Sequence, residues 1–397
     1  MEERGVVLSS HQPWGASSYS RCFEESATLG LAAKAKSLQA AGRSIINFSV
    51  GEPDFNTPSE VISAAMKAAE RGETKYTAVS GTMAARQAVA NRLSEDYQCP
   101  FEASEVMLST GGKQAIFHVM QAILEPGDEV LLPSPYWTSF PEMLKMLGAK
   151  PVILPHREGR LEASDLAAAI SSRTRMFIFN NPANPHGVVY HPKEIESFLD
   201  VIEEHPIWLL SDDTYYQLTY EQDFVSAISL RPSFKPRTAV IGSLSKSYAM
   251  TGWRLGWAIL PPEIHRAAVK IQGQVTSGPN SISQAAAIEA LGPSNHWAKD
   301  FRESFRARLQ FLKQELKREL PELEYMPPQG AFYCFLKLGG VLKKESVAEF
   351  CARALEEWGV CLVPGEAFGA EAFARLSYAL SEEEIAEGIK RLRQALS

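Results

Sequence analysis

Apolar residues in this chain gather in short runs, and each run stops at a cluster of glycine, proline, hydroxyl or acid residues. Val106-Met107-Leu108 stops at Ser109-Thr110-Gly111-Gly112-Lys113-Gln114, and the run 129–132 stops at Pro133-Ser134-Pro135-Tyr136-Trp137. The run 176–179 stops at Asn180-Asn181-Pro182-Ala183-Asn184-Pro185-His186-Gly187, and the run 207–210 stops at Ser211-Asp212-Asp213-Thr214-Tyr215. Ala239-Val240-Ile241 leads into the polar stretch 242–254, and a further apolar run, 255–260, leads out. Continuous apolar runs of this length read as strands buried on both faces. Stretches with helical character are 31–41, 59–71, 83–97, 114–124, 192–204, 262–273, 283–291, 296–320 and 346–358. Strand and helix thus alternate, which predicts an α/β protein with a mainly parallel central sheet, helices on both faces and right-handed crossovers. Polar clusters at successive strand ends are how such a sheet builds a site along its carboxyl edge. Shorter strands at 45–48, 330–335, 360–365 and 373–379 predict a second, smaller α/β unit. The expected division is 1–55 for an N-terminal arm and part of the small unit, 56–294 for the large unit, and 295–397 for the remainder.

The chemistry concentrates in the strand-end clusters. Lys246 stands alone among hydroxyls at the mouth of a strand. A half-buried lysine loses hydration, so its amine is freed to attack a carbonyl and form a Schiff base. Ser243 and Ser245 offer hydroxyls beside it and Arg254 a planar fork, a set suited to a phosphate. Together they suggest pyridoxal phosphate, against the alternative of a solvated lysine in a serine-rich loop. Gly111 and Gly112 open a helix whose first amides can collect a phosphate. No G-x-G-x-x-G and no G-x-x-x-x-G-K is present, so neither a dinucleotide site nor a P-loop is indicated. Trp137, on a proline-stiffened turn, can stack on a heterocycle or simply fill a core. A carboxylate at a buried strand end needs a partner, and a protonated ring nitrogen would serve; Asp212 is the candidate and Asp213 its competitor.

Ser243-Leu244-Ser245-Lys246 followed by Met250-Thr251-Gly252-Trp253-Arg254-Leu255-Gly256 resembles the lysine signature of the class I, fold-type I, pyridoxal-phosphate aminotransferases, in the bacterial aspartate aminotransferase-like branch. The match runs from about Ser26 to the C-terminus. The resemblance implies that Lys246 carries the cofactor and shuttles a proton, that Asp212 meets the ring nitrogen, and that Asn184 and Tyr215 donate to the phenolic oxygen. It sets Trp137 against the ring and Gly51, in Gly51-Glu52-Pro53-Asp54-Phe55, beside the substrate carboxylate. Arg375, in Arg375-Leu376-Ser377-Tyr378-Ala379, takes that carboxylate, with Trp137 and Asn184 also facing substrate. Tyr76 would cross a homodimer interface to the neighbouring subunit's cofactor phosphate. Lys113, beside a backbone that serves the phosphate, would read a distal substrate carboxylate with help from Ser26 and Thr28. Two departures stand out: Ala183 where the family has Asn, and His186 where it has Thr. His186 is expected to be satisfied by backbone rather than to touch substrate.

The implied activity is transfer of an amino group between an amino acid and a 2-oxo acid in two half-reactions, with aspartate or another dicarboxylic amino acid and 2-oxoglutarate. The alternatives are an aromatic, prephenate or broad-specificity aminotransferase, a lyase on the same fold, and a non-catalytic pyridoxal-phosphate module. Composition narrows the rest. The chain has 397 residues, 45% of them hydrophobic, enough for a large core. A net charge of -7 gives no broad basic field, which argues against nucleic acid. Five cysteines without a C-x-x-C pair argue against a zinc site and a disulfide framework, and with no signal-like N-terminus or membrane-length apolar window they point to the cytoplasm.

Overall fold

The computed structural model describes residues 15–17, 19–24, 27–293, 296–342 and 344–397. Its strands, in chain order, are β1 Ile46–Asn47, β2 Val106–Ser109, β3 Glu129–Pro133, β4 Lys150–Leu154, β5 Thr174–Asn180, β6 Trp208–Asp212, β7 Thr238–Ser243, β8 Gly256–Ile259, β9 Tyr325–Met326, β10 Tyr333–Lys337, β11 Val360–Cys361, β12 Val363–Pro364 and β13 Phe373–Ser377. Seven form one sheet in the order β2-β8-β7-β6-β5-β3-β4. Within it β3, β4, β5, β6 and β7 run parallel, and β8 runs antiparallel to both β2 and β7. Two antiparallel steps bring β2 back into the common direction, so six of the seven strands point their carboxyl ends the same way.

Both faces of this sheet are covered, which explains the unbroken apolar runs. On β5, Met176 and Ile178 join the cluster built with the helix Gly112–Ile123, while Phe177 and Phe179 join the one built with the helix Pro192–Glu203. Alternate side chains of a strand point to opposite faces, so the run must be apolar at every position. On the β2-β8-β7 side, Leu108, Val240 and Trp257 pack with residues of the helices Met83–Tyr97 and Ser281–Ala290. Side-chain caps fix the starts of these helices: Thr82 Oγ1 accepts from Ala85 N at 3.3 Å, and Asn280 Oδ1 from Ser283 N at 2.9 Å. Each such cap is worth about 1 kcal/mol.

The second sheet, β12-β13-β10-β9, is antiparallel throughout. It shares a core with the helices Trp297–Glu319, Val347–Trp358 and Glu382–Leu396, which includes Phe305, Phe332, Leu376 and Ile389. Capping boxes at Ser346 with Glu349 and Ser381 with Glu384 start two of those helices. β1 pairs with β11 in parallel, Ile46 opposite Val360, so a strand from near the N-terminus sits beside one from the last forty residues.

Three expectations need correction. β4 was not foreseen: Lys150-Pro151-Val152-Ile153-Leu154 is a short run with a proline inside, and such a run is admitted because β4 is an edge strand bonded only to β3. The helix after β2 begins at Gly112 rather than Gln114, since Gly111 at φ +84° turns the chain directly into it. The strand expected from Gly330 starts at Tyr333; Gly330 instead bridges Thr219. Among the described residues no helix is long and apolar enough to cross a membrane, and no three His, Cys, Asp or Glu side chains gather as a metal site would require.

Candidate functional site

A cavity of about 480 Å³ opens along the carboxyl edge of the large sheet. The ends of β2, β3, β5, β6 and β7 contribute to it for the same reason: backbone hydrogen bonding ends there, and the chain turns away with its polar groups uncovered; the edge strand β4 contributes nothing. The helix after β2 brings Gly112 and Lys113, the loop after β3 brings Trp137, and β5 with its loop brings Asn180 and Asn184. β6 ends in Asp212, with Thr214 and Tyr215 next, and β7 ends in Ser243, followed by Ser245 and Lys246. Because β8 is antiparallel, its entry lies at the same edge and carries Arg254. The small sheet supplies Tyr333 and Arg375, and the segment after β1 supplies Ser49, Gly51 and Glu52.

One end of the cavity is an anion cradle. The helix Gly112–Ile123 starts there with no acidic residue in its first turn, so its unpaired amides and positive dipole end stay uncompensated. Ser243 Oγ donates to Ser245 Oγ at 2.8 Å. Arg254 sits at φ +52° and donates from Nη1 to Thr251 O at 2.9 Å. A Cβ on Gly111 would lie 2.6 Å from Arg254 Nη2, so only glycine lets the guanidinium close on this turn.

The two neighbouring acids face different surroundings. Asp212 lines the cavity and accepts at Oδ1 from Thr214 N at 3.3 Å and Thr214 Oγ1 at 2.7 Å. Burial raises its pKa, against the opposing pull of the Thr214 bonds and of Lys246. Asp213 is absent from the cavity wall; Tyr97 Oη donates to it at 2.9 Å and Ser211 Oγ at 2.6 Å. Burial pushes Asp213 up to about 7, with the Asp212 charge adding to the effect.

Lys246 Nζ donates to Gly51 O at 2.5 Å. Burial lowers its pKa to about 8; Glu52 opposes this, while Arg375, Arg254 and Lys113 reinforce it. Arg375 is 3% exposed and donates from Nη1 to Asn184 Oδ1 at 3.1 Å and from Nη2 to Ser49 O at 2.9 Å. Each terminal nitrogen keeps a second N–H, and Nε has no partner, so three of its five donors remain. Asn184, its oxygen engaged by Arg375, presents its NH₂ end. Tyr215 Oη and Tyr333 Oη are 2.8 Å apart, and burial holds Tyr215 well above the ordinary phenol pKa. Lys113 Nζ lies 5.0 Å from the Trp137 ring centroid, and burial, then Arg254, lowers its pKa.

Most sequence-derived candidates therefore meet in one cavity: Gly51, Gly112, Lys113, Trp137, Asn184, Asp212, Tyr215, Ser243, Ser245, Lys246, Arg254 and Arg375, with Gly111 directly behind Arg254. Tyr76 does not join them within one chain and is 98% exposed. Thr28 lines the cavity, whereas Ser26 lies outside the described residues. His186 departs from expectation: it is buried behind the wall, and neither ring nitrogen makes a well-formed hydrogen bond. Its surroundings, burial first and then His156, push its pKa down to about 3, so it stays neutral. Sequence reasoning missed Asn180, Thr214 and Tyr333, and also the helix face formed by Leu29, Ala32 and Lys36. The spacing of Thr28, Ala32 and Lys36 at every fourth residue marked a common face but not what it covers.

Comparisons with known proteins bear on this cavity. The family model for aminotransferase class I and II matches residues 43–392. An aspartate aminotransferase of Rhizobium meliloti (strain 1021) is 40% identical over 380 residues, which cover 92% of each chain. An aspartate/prephenate aminotransferase of Nitrosomonas europaea is 38% identical over 391 residues, covering 95% of this chain and 98% of that one. Among solved structures, an aspartate aminotransferase from Thermus thermophilus with maleate superposes with a TM-score of 0.91 at 34% identity, covering 96% of this chain and 99% of that one.

Proposed function

The chain belongs to the class I and II aminotransferases, pyridoxal-phosphate enzymes of fold type I, and on that premise we propose that it moves the amino group of aspartate, or of another dicarboxylic amino acid, to 2-oxoglutarate. The cavity's own chemistry suits the cofactor. The cradle of helix amides, Ser243, Ser245 and Arg254 fits a phosphate, and Asp212, with both Thr214 bonds on Oδ1, keeps Oδ2 for a ring nitrogen. When bound, pyridoxal phosphate supplies an electron-withdrawing ring that accepts negative charge from the substrate α-carbon.

In this reading Lys246 holds the cofactor through its amine, yields to the substrate amine and then moves the proton at the α-carbon. A pKa of about 8 leaves a useful fraction of that amine neutral near neutral pH. With the cofactor bound, Asp212 would keep its ring nitrogen protonated, Asn184 and Tyr215 would donate to its phenolic oxygen, and Trp137 would lie against the ring. Arg375 takes the substrate α-carboxylate with its remaining N–H groups, beside Gly51. We assign 56–294 to the large unit, and 1–55, an arm with part of the small unit, together with 295–397 to the small one; Tyr215, Leu218 and Tyr220 of the large stretch pack into the small unit's core. We place the protein in the cytoplasm, consistent with the buried thiols of Cys99, Cys334, Cys351 and Cys361. Two copies would share their sites through Tyr76, whose exposure is accompanied by that of Ile62, Met66, Met83 and Val275.

The observation that carries the substrate assignment is Lys113, an exposed cation on the cavity wall in addition to Arg375, matching a substrate with two carboxylates. The Thermus relative's maleate is likewise a dicarboxylate. Lys113→Met tests it. Loss of one charge-assisted bond should cost aspartate about 2 kcal/mol, roughly thirtyfold in kcat/KM, and spare aromatic or aliphatic amino acids. An equal loss for every substrate would assign Lys113 to the cofactor instead. A second reading, with an aromatic or prephenate-type keto acid as partner substrate, is favoured by the apolar wall of Leu29, Ala32 and Ile116.

A further inference from the structure

Among the described residues, the cavity wall carries five cationic side chains, Lys36, Lys113, Lys246, Arg254 and Arg375, and two carboxylates, Asp212 and Glu52. Asp212 has a role in the reading above; Glu52 has none. Its position is built: Thr251 Oγ1 donates to Glu52 Oε2 at 2.8 Å, tying the carboxylate to the loop that follows Lys246. The next residue back, Gly51, holds the Lys246 amine on its carbonyl oxygen at 2.5 Å, so carboxylate and amine are anchored one peptide unit apart. The same strap is fastened on both sides, by Arg375 on Ser49 O at 2.9 Å and by Thr57 Oγ1 on Ala249 O at 2.7 Å.

We infer that Glu52 is a positioning residue for proton transfer, its charge held at the cavity by Thr251 so that the Lys246 amine keeps a proton it would otherwise lose to the surrounding cations. Three of those cations, Arg375, Arg254 and Lys113, disfavour the protonated amine; Glu52, an exposed carboxylate tied in place by Thr251, opposes them, and Asp212 is coupled to the amine as well. The other titratable groups facing the cavity are Asp212 on β6, Lys36 on the helix Ala27–Ala40, and the phenols Tyr215 and Tyr333, which burial keeps protonated. A lysine that must accept a proton from carbon and deliver it again needs a proton affinity that is neither too low nor too high. Cations placed to bind an anionic cofactor and an anionic substrate push it too low, and a carboxylate beside them restores it.

The inference rests on Lys246 being the cofactor lysine, and two variants separate charge from anchoring. Glu52→Gln keeps an oxygen for Thr251 and removes the charge; Thr251→Val removes the tie and leaves the charge. The measurement is the pH midpoint of the lysine-bound cofactor's visible absorbance change in the holoenzyme. Glu52→Gln should move it down by at least a few tenths of a unit, and the acidic limb of the kcat profile with it. Thr251→Val should shift it less. An unshifted midpoint in Glu52→Gln overturns the role of the charge, and an unshifted midpoint in Thr251→Val beside a shifted Glu52→Gln overturns the anchoring by Thr251. A parent enzyme lacking any lysine-dependent absorbance would instead overturn the assignment of Lys246, a separate failure.

Discussion

Asp212 and Asp213 are consecutive, chemically identical and both buried, yet β6 turns one toward the cavity and the other toward Tyr97. Of the two, Asp212 alone lines the cavity, so in the proposed function it is the one that would stabilise a protonated ring nitrogen. Asp212→Asn should therefore retain the cofactor and lose roughly a hundredfold or more in kcat, whereas Asp213→Asn should lose far less; steady-state kinetics with quantified cofactor content reads the difference. Asp213 carries a separate consequence for stability. Burial raises its folded-state pKa to about 7, above the ordinary carboxylate value of 3.8, so the folded protein holds a proton that the unfolded chain has released. This contribution is full below about 4, is lost as pH rises and is gone above about 7. Asp213→Asn removes that slope. The Tm of the variant relative to the parent should improve by a few degrees between pH 5 and pH 8, followed by circular dichroism.

At the scale of elements, the junction of β2, β7 and β8 determines whether the anion cradle exists. β8 enters beside the start of the helix Gly112–Ile123, and at Gly256 an added Cβ would run into the Gly112 amide nitrogen and the Gly242 carbonyl. These are backbone atoms of two different elements, so neither side can give way by changing a rotamer. Gly256→Ala should push the helix start off the sheet edge, costing about 2 to 3 kcal/mol of stability in denaturant titrations. Because the displaced amides belong to the cradle, pyridoxal-phosphate affinity should fall as well. A variant that loses stability with unchanged cofactor affinity would show that the helix start is not part of the phosphate site.

The whole molecule bears on Tyr76, which is far too exposed for a residue with a place in a site of its own chain. If it serves a second copy, mixing an inactive Lys246→Ala chain with an inactive Tyr76→Phe chain should restore activity. One site of the mixed dimer would combine intact Lys246 and Tyr76, while the other carries both defects. Recovery approaching a quarter of the parental rate is expected from about half mixed dimers with one good site each. Mixed chains that exchange subunits and stay inactive would place a complete site within one chain.

Much of this protein was legible in one dimension because buried parallel strands must be apolar throughout and must end in uncovered backbone. Those two requirements marked six of the seven strands of the large sheet, their order along the chain, and the polar clusters between them. Lys246, Asp212 and Arg254 could be picked from such clusters because a lone lysine, a strand-end acid or a guanidinium costs too much there without a partner, whereas Asn184 came only from the family resemblance. The edge strand β4 escaped because an edge tolerates the proline and lysine that a central strand would reject. Tyr333 escaped because an aromatic in an apolar run reads as core, and only the meeting of the two sheets sets its hydroxyl 2.8 Å from that of Tyr215. The choice between Asp212 and Asp213 follows from the strand's alternation, but which face looks into the cavity depends on the sheet's orientation. Glu52 likewise comes near Lys246 through contacts almost two hundred residues apart in sequence, set by packing between the segment after β1 and the loop after β7. Local composition carried the types of group needed; distances, burial and the sign of each pKa shift arose only when distant segments were brought to one sheet edge.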